Sequence, residues 1–234
     1  MIETRPFDSL GQFENDWLKA RYHFSFSDYR DPARMHWGAL RVWNDDQIKP
    51  KSGFAPHAHA DMEIITYVRS GAITHEDSLG NRGRTEAGDV QVMSAGSGVT
   101  HSEFNLEDEA ATLYQIWIEP KQRGGPPFWG AAKFPKAERA GALVTLASGF
   151  AADQEAGALP IRQDARVLAA TLGPGQTIAY KLAPGRRAYL ALAKGAAKLN
   201  GVDLGPRDGA AIREESLIRV ETVSEAEIVL VDAP

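Results

Sequence analysis

Two short motifs in the first half of the chain combine residue types that bind metals. His57 and His59 are separated by one residue, and so are His101 and Glu103. In a β-strand, residues i and i+2 point to the same face, so each pair would project together from its strand. On neighbouring strands of a small barrel the four side chains would converge. Three neutral imidazoles and a carboxylate suit divalent iron, manganese, cobalt, nickel, copper or zinc.

The distribution of histidine restricts where such a site can be. All six histidines fall within the first 101 residues, so a histidine-dependent site belongs to the N-terminal half. A single His-x-His segment is more often surface or hydrogen-bonded structure than a metal site. Two such motifs in one half of a histidine-poor chain make metal binding as good a reading as a structural role. Four ligands on one side of an octahedron would leave two positions for water, oxygen or substrate.

The composition excludes several other classes of site. The 234 residues include no cysteine, which excludes disulfides, cysteine-ligated zinc, iron–sulfur clusters and a thiol nucleophile. The net charge is −5 without a basic tract, so we expect no nucleic-acid partner. No apolar run approaches the ~18 residues of a membrane span, and the first residues lack the apolar core of a signal peptide. We therefore expect a cytoplasmic protein that does not enter the membrane.

Strand and turn signals dominate the chain. β-Branched and aromatic runs predict strands at 38–43, 63–68, 72–75, 90–93, 112–118, 165–173, 177–182, 188–193 and 227–231. Residues 44–46 read as a turn, because Asn and Asp favour turns. Residues 13–18 read as a short helix. Many short strands at regular spacing predict an all-β sandwich or barrel.

The length and a weak internal repeat point to two similar halves. Residues 67–71 resemble residues 190–195 in pattern, each a strand that ends at a glycine. The stretch 121–127 contains Gly-Gly-Pro-Pro and is typical of a connection between domains. We predict a duplicated barrel, with domains at residues 1–125 and 126–234.

Residues 53–105 resemble the pirin family of cupin proteins. The segments that carry the resemblance are 53–63, which contains both early histidines, the hairpin 77–81, and 88–103. Residues 114–118 follow them as in bacterial members of the family. The order and spacing of these segments match the family, and recognisable similarity runs from about residue 38 to residue 118.

The resemblance implies an all-β bicupin fold, with two antiparallel β-barrels in one chain. It also implies a single metal in the N-terminal barrel, held by His57, His59, His101 and Glu103. Each of these positions carries the residue that the family pattern requires.

The second barrel carries no comparable ligands. Aligning the two halves places Lys181 and Ala183 where the first histidine pair stands. The same alignment places Val220 and Thr222 where the second motif stands. These residues do not form a metal-ligand set, so we expect the second barrel to be structural.

Two further residues near the motifs have open roles. Glu63 is an even number of residues from both early histidines, so on one strand it would share their face. It would then orient a ligand or act on the substrate, and an interior carboxylate paired with a polar neighbour fits equally well. We expect His75 to be structural, with a side chain that could reach the rim of the site.

The resemblance implies an enzyme, since some bacterial pirin-like proteins cleave flavonols as quercetin 2,3-dioxygenases. The substrates would be a flavonol and dioxygen, with carbon monoxide released. The flavonol 3-hydroxyl would bind at an open metal position, and Glu103 would be the catalytic base that takes its proton. Iron(II) is the favoured metal, and nickel, cobalt, copper, manganese and zinc remain open.

Two other functions fit the same motifs. Eukaryotic pirin is associated with transcription-factor regulation, so the chain could be a non-enzymatic metal-binding protein that acts through a protein partner. A different small-molecule reaction at the same site is a third reading, because a cupin site hosts many reactions. Two fused barrels already supply the pairing that single cupins gain by dimerising, so we expect a monomer.

Overall fold

The computed structural model describes residues 1–234, and β-strands form nearly all of its regular structure. The first twelve strands are β1 (Ile2–Arg5), β2 (Gly11–Glu14), β3 (Leu18–Tyr22), β4 (Leu40–Ile48), β5 (Ser52–His59), β6 (Glu63–Ser70), β7 (Ala72–Asp77), β8 (Arg82–Glu86), β9 (Val90–Ser94), β10 (Val99–Asn105), β11 (Ala111–Ile118) and β12 (Phe128–Ala132). The other ten are β13 (Val144–Ser148), β14 (Leu159–Pro160), β15 (Arg166–Leu172), β16 (Thr177–Lys181), β17 (Arg187–Lys194), β18 (Ala197–Leu199), β19 (Val202–Leu204), β20 (Gly209–Arg213), β21 (Leu217–Thr222) and β22 (Ala226–Ala233).

Helical structure is limited to four short segments. They are the α-helix α1 (Ala151–Glu155) and three 3-10 turns at Phe7–Ser9, Pro32–Arg34 and Lys136–Arg139. None of the helices has the length and apolar character needed to span a membrane.

The strands group into two units, and neither unit is one continuous segment. The N-terminal unit contains Gly11–Phe134 and Leu159–Gln163. The C-terminal unit contains Met1–Leu10, Pro135–Ala158 and Asp164–Pro234. The first ten residues join the C-terminal unit because β1 pairs antiparallel along β20.

The N-terminal unit consists of two antiparallel sheets. A seven-stranded sheet has the order β12-β9-β6-β11-β4-β3-β2, and a four-stranded sheet has the order β5-β10-β7-β8. Side chains from both sheets line one cavity between them. The sheets form an open jelly-roll-like sandwich, where the sequence led us to expect a closed barrel.

Alternation along the strands builds the inner face of this unit. In β10, Val99, His101, Glu103 and Asn105 are buried, whereas the residues between them are more exposed. This period of two is the pattern of a strand with one face toward a core. It places the second histidine motif inside the unit.

The C-terminal unit repeats the two-sheet plan around an aliphatic core. Its larger sheet contains the order β1-β20-β17-β22-β15-β13, and its smaller sheet has the order β16-β21-β18-β19. Leu168, Leu190 and Leu230 of the larger sheet pack with Ile218 and Val220 of the smaller one. The prediction of an all-β chain with two cupin-type halves is confirmed.

Two local predictions were wrong. Residues 44–46 are not a turn, because β4 continues through them and pairs with β3 and β11 on either side. Residues 13–18 are not a helix: they comprise the end of β2, the connection at 15–17 and the first residue of β3. Asn15 Oδ1 accepts hydrogen bonds from the backbone N–H of Trp17 at 3.0 Å and of Leu18 at 2.7 Å, which turns the chain back.

Candidate metal centre and its cavity

Strands β5 and β10 bring the two motifs together. They pair antiparallel, with His57 directly opposite His101 and His59 opposite Val99. A β-bulge interrupts the pairing between His101 and Glu103. Bulges often re-aim side chains next to functional sites. The motifs therefore lie on neighbouring strands, as predicted.

Three imidazoles converge at this position. His57, His59 and His101 each offer one ring nitrogen, and these atoms lie within 4.8 Å of one another. The ring centroids are 4.6 Å apart for His57 and His101, 4.8 Å for His57 and His59, and 5.1 Å for His59 and His101. Such a cluster has the donor type and spacing to hold a single metal ion.

The hydrogen bonds of these rings leave a nitrogen of each free. Nδ1 of His57 lies 2.8 Å from the carbonyl oxygen of Ala55, to which it donates as an N–H. This bond leaves the Nε2 lone pair of His57 available. The Nε2 atoms of His59 and His101 are buried without a hydrogen-bond partner. Buried nitrogens of this kind are costly unless a ligand satisfies them, so the cluster fits a metal ion.

Two histidines of the cluster, His59 and His101, are held in their neutral form. Burial, followed by the proximity of the His101 and His57 rings, lowers the pKa of His59 to about 4. Burial and the neighbouring His57 and His75 rings lower the pKa of His101 to about 3. At neutral pH no proton therefore competes with a metal for either imidazole, since metal-ligating histidine must be neutral.

A chain of hydrogen bonds through His75 to Asp77 orients the ring of His101. His101 Nδ1 lies 3.4 Å from His75 Nδ1, and His75 Nε2 lies 3.1 Å from Asp77 Oδ2. Burial alone would raise the pKa of Asp77, but hydrogen bonds from Asn81 and His75 outweigh it and the pKa lies below its usual value. An ionised Asp77 accepts the Nε2 proton of His75. His75 Nδ1 then accepts from His101, which directs the Nε2 lone pair of His101 toward the cluster.

Glu103 is buried in a network of neutral donors. Its Oε1 accepts hydrogen bonds from Thr66 Oγ1 at 3.0 Å and Gln91 Nε2 at 2.6 Å. Its Oε2 accepts from Gln115 Nε2 at 2.5 Å. The side chain lines the same cavity as the three histidines. The three ligand atoms that lie within 4.8 Å of one another are all histidine nitrogens. The role of Glu103 as a fourth ligand therefore stays a prediction.

Glu63 does not share a strand with the histidines. Strand β5 ends at His59, and Glu63 begins β6 in the opposite sheet, so the argument from strand parity was wrong. Its Oε1 accepts a hydrogen bond from Ser94 Oγ at 2.7 Å, and the side chain is buried away from the cavity lining. Burial raises its pKa, and the bond from Ser94 opposes that shift.

The cavity next to the histidines has about 290 Å³ of space and mostly apolar walls. The walls are formed by Leu18, Tyr22, Phe26, Phe54, Ile64 and Trp117. Trp117 meets His59 edge to face, with ring centroids 4.9 Å apart. An apolar cavity with a few convergent polar groups is typical of a small-molecule site.

The sequence reading missed several polar residues of this cavity. Asn44 and Asp46 line it from β4, and Gln115 lines it from β11. Gln91 supports Glu103 from β9. The sequence offered one signal for Asn44 and Asp46. The strand predicted at 38–43 could have been extended beyond residue 43, with alternate residues facing the interior.

Two protein-family models match this chain, one in each half. The family model described as "Pirin" matches residues 3–118. A second model, described as "Quercetinase C-terminal cupin domain", matches residues 146–233.

Individual relatives match over the full length. The chain is 60% identical to a "Pirin-like protein" of Caulobacter vibrioides, with 100% of both chains covered. It is 37% identical to a protein of Escherichia coli strain K12 named "Quercetin 2,3-dioxygenase", over 100% of this chain and 99% of the relative. The crystal structure of the E. coli bacterial pirin YhhW in complex with nickel(II) superposes with a TM-score of 0.93 at 37% identity. That alignment covers 100% of this chain and 99% of the other.

Proposed function

Because this chain belongs to the pirin family, we propose that it is a metal-dependent dioxygenase that cleaves a flavonol such as quercetin with dioxygen and releases carbon monoxide. The observation that carries the proposal is the position of three convergent imidazoles against an aromatic-walled cavity. A relative that matches over the full length is named quercetin 2,3-dioxygenase, which supports the same reaction.

We assign the metal to His57, His59 and His101, with Glu103 as the fourth ligand, and choose iron(II) first among the divalent transition metals. A related structure was solved in complex with nickel(II), which supports a transition metal as the ligand of this chain. When bound, the metal supplies Lewis-acid activation of the flavonol 3-hydroxyl.

Glu103 is our candidate for the catalytic base. A carboxylate offers about four acceptor positions, and Thr66, Gln91 and Gln115 occupy three of them. One acceptor position remains, on Oε2: it would bind the metal in the substrate-free site and would take the proton of the 3-hydroxyl when the substrate is bound. The three neutral donors hold the carboxylate in a fixed orientation beside the cavity.

The apolar walls prepare the cavity for this chemistry. Phe26, Phe54 and Trp117 offer flat surfaces against which a flavonol ring can pack. They also exclude water, which strengthens the electrostatic interactions of Glu103 and the histidines with the substrate.

Oxygen consumption tests the proposal. Protein loaded anaerobically with iron(II) is mixed with quercetin and oxygen, and oxygen uptake and carbon monoxide release are measured together. We expect both to depend on the metal, and His101→Ala to lose bound metal and turnover together. Nickel, cobalt, manganese, copper and zinc are tested in the same way.

Two controls make the result decisive. His36→Ala removes an exposed histidine outside the cavity and is expected to keep full activity. If every metal leaves quercetin intact, or if His101→Ala turns over quercetin like the unmodified protein, the proposal is wrong. In the first case, a non-enzymatic role through a protein partner becomes the better account.

A further inference from the structure

Two acceptor atoms in the cavity remain unsatisfied on the sheet that faces the histidines. Asn44 Oδ1 and Asp46 Oδ1 are buried and have no hydrogen-bond partner. The residues are only 4% and 2% exposed. Both line the cavity that contains the histidine cluster.

The geometry of β4 explains why both side chains point into the same space. Asn44 and Asp46 are alternate residues of one strand, so they share a face. The residue between them, Asp45, forms an ion pair with Arg69 instead. The side chains of Asn44 and Asp46 therefore face the cavity, and that of Asp45 faces away from it.

A buried acceptor without a hydrogen-bond donor destabilises the folded protein, so two such acceptors on one face call for donors from a ligand. The donors must arrive on a flat, largely apolar body, because aromatic and aliphatic side chains form the surrounding walls. Phenolic hydroxyls on an aromatic ring combine these properties.

Charge also favours such a ligand. Burial, and then the neighbouring carboxylates of Asp45 and Glu103, raise the pKa of Asp46 well above its usual value. The charged form of Asp46 is therefore costly in this cavity, and a phenol hydroxyl that donates a hydrogen bond to its unsatisfied Oδ1 would stabilise it.

We propose that Asn44 and Asp46 form a phenol-binding pair that selects polyhydroxylated aromatic substrates over those with the metal-directed hydroxyl alone. The inference rests on the proposed function, because it specifies which flavonols the same cavity prefers. In this arrangement the histidines and the phenol-binding pair hold a ligand from opposite sheets.

Binding measurements test the pair without relying on turnover. Quercetin and 3-hydroxyflavone, which keeps the 3-hydroxyl but lacks the others, are titrated into metal-loaded protein under anaerobic conditions. Quenching of tryptophan fluorescence reports binding, since Trp117 lines the cavity. We expect the unmodified protein to bind quercetin at least about tenfold more tightly, a ratio equal to about 1.4 kcal/mol.

Substitutions then separate selectivity from general damage. Asp46→Leu and Asn44→Leu should each reduce the preference for quercetin to about threefold or less, while binding of 3-hydroxyflavone stays within about threefold. Asp46→Asn keeps an acceptor oxygen on a side chain of similar size and should retain the preference. Gln47→Leu makes a matched change at an exposed position of the same strand and should have no effect. Should a leucine variant fail to fold, Asn44→Ala and Asp46→Ala replace it.

The outcomes distinguish this inference from the proposed function. Equal affinity of the unmodified protein for both ligands, absence of binding, or a preference unchanged in both leucine variants would overturn the phenol-binding pair. Selective binding of quercetin without oxygen uptake would instead retain the pair and overturn the dioxygenase.

Discussion

His75 links the metal-facing ring of His101 to an ionised carboxylate. Its ring also stacks on Trp129, with centroids 4.9 Å apart and planes inclined by 10°. His75 therefore has two separable roles. Its ring packs against Trp129, and its Nδ1 accepts a hydrogen bond from the Nδ1–H of His101. A sequence pattern revealed neither task, because both depend on β7 lying beside β10.

Replacing His75 with phenylalanine separates the two tasks. His75→Phe keeps an aromatic ring against Trp129 but leaves the Nδ1 proton of His101 without its acceptor. Loss of such a partner typically weakens metal binding by about 10- to 100-fold. We expect a change of this size in the metal dissociation constant, measured by competition with a chelating dye.

The matched control is His36→Phe, which makes the same change at an exposed position outside the cavity. It should bind metal like the unmodified protein. Unchanged affinity in His75→Phe would show that the hydrogen bond does not support the site.

At this scale the sequence identified the residues that carry the strongest chemical signature. His57, His59 and His101 were predictable because histidine is rare in this chain and the spacing matches a strand. Asn44 and Asp46 were not, because Asn and Asp usually mark turns. Only the pairing of β4 with strands on both sides overrides that preference.

The pairing of β5 with β10 is the structural element on which the centre depends. Gly53 stands where the two strands approach each other closely. A Cβ atom at this position would lie 2.2 Å from the backbone oxygen of Glu103 and 2.5 Å from Cα of Phe104. Because these are backbone atoms, the neighbouring strand would have to move.

We expect Gly53→Ala to separate the strands near the bulge and to displace Glu103 relative to the histidines. The strain should lower the free energy of unfolding by about 1–3 kcal/mol and weaken metal binding together with stability. Chemical denaturation and a metal titration measure the two effects.

Gly173→Ala is the matched control, because a Cβ atom there meets nothing closer than 3.6 Å. It should leave metal affinity unchanged. A Gly53→Ala protein with normal stability and normal metal affinity would show that the close approach is not required.

Nine of the 22 strands were predicted from the sequence, and among them β6, β9, β11 and β22 are rich in β-branched or aromatic residues. Short strands such as β18, with the sequence Ala-Lys-Leu, carry no such pattern. The predicted strand at 90–93 corresponds to β9 (Val90–Ser94), and that at 112–118 to β11 (Ala111–Ile118). The failed helix at 13–18 shows the limit of local patterns. There, an Asn15 side-chain turn and strand pairing determine the conformation.

At the scale of the whole molecule, the resemblance to the pirin family predicted the two cupin-type halves, and the full-length relatives confirm it. The division of the sequence between residues 125 and 126 stays a prediction. Pairing of β1 with β20 joins segments about 200 residues apart, and no local pattern indicates such a contact. The histidine cluster lies entirely in the N-terminal unit, so the proposed dioxygenase reaction would take place in that unit.

The most direct test of that chemistry is the fate of isotopically labelled oxygen. Metal-loaded protein is given quercetin under ¹⁸O₂, and the ring-opened product is analysed by mass spectrometry while carbon monoxide is measured. If the protein is a flavonol dioxygenase, both labelled oxygen atoms enter the ring-opened product, and one carbon monoxide is released per quercetin. Labelled hydrogen peroxide or water, with an oxidised but intact ring system and no carbon monoxide, would contradict it.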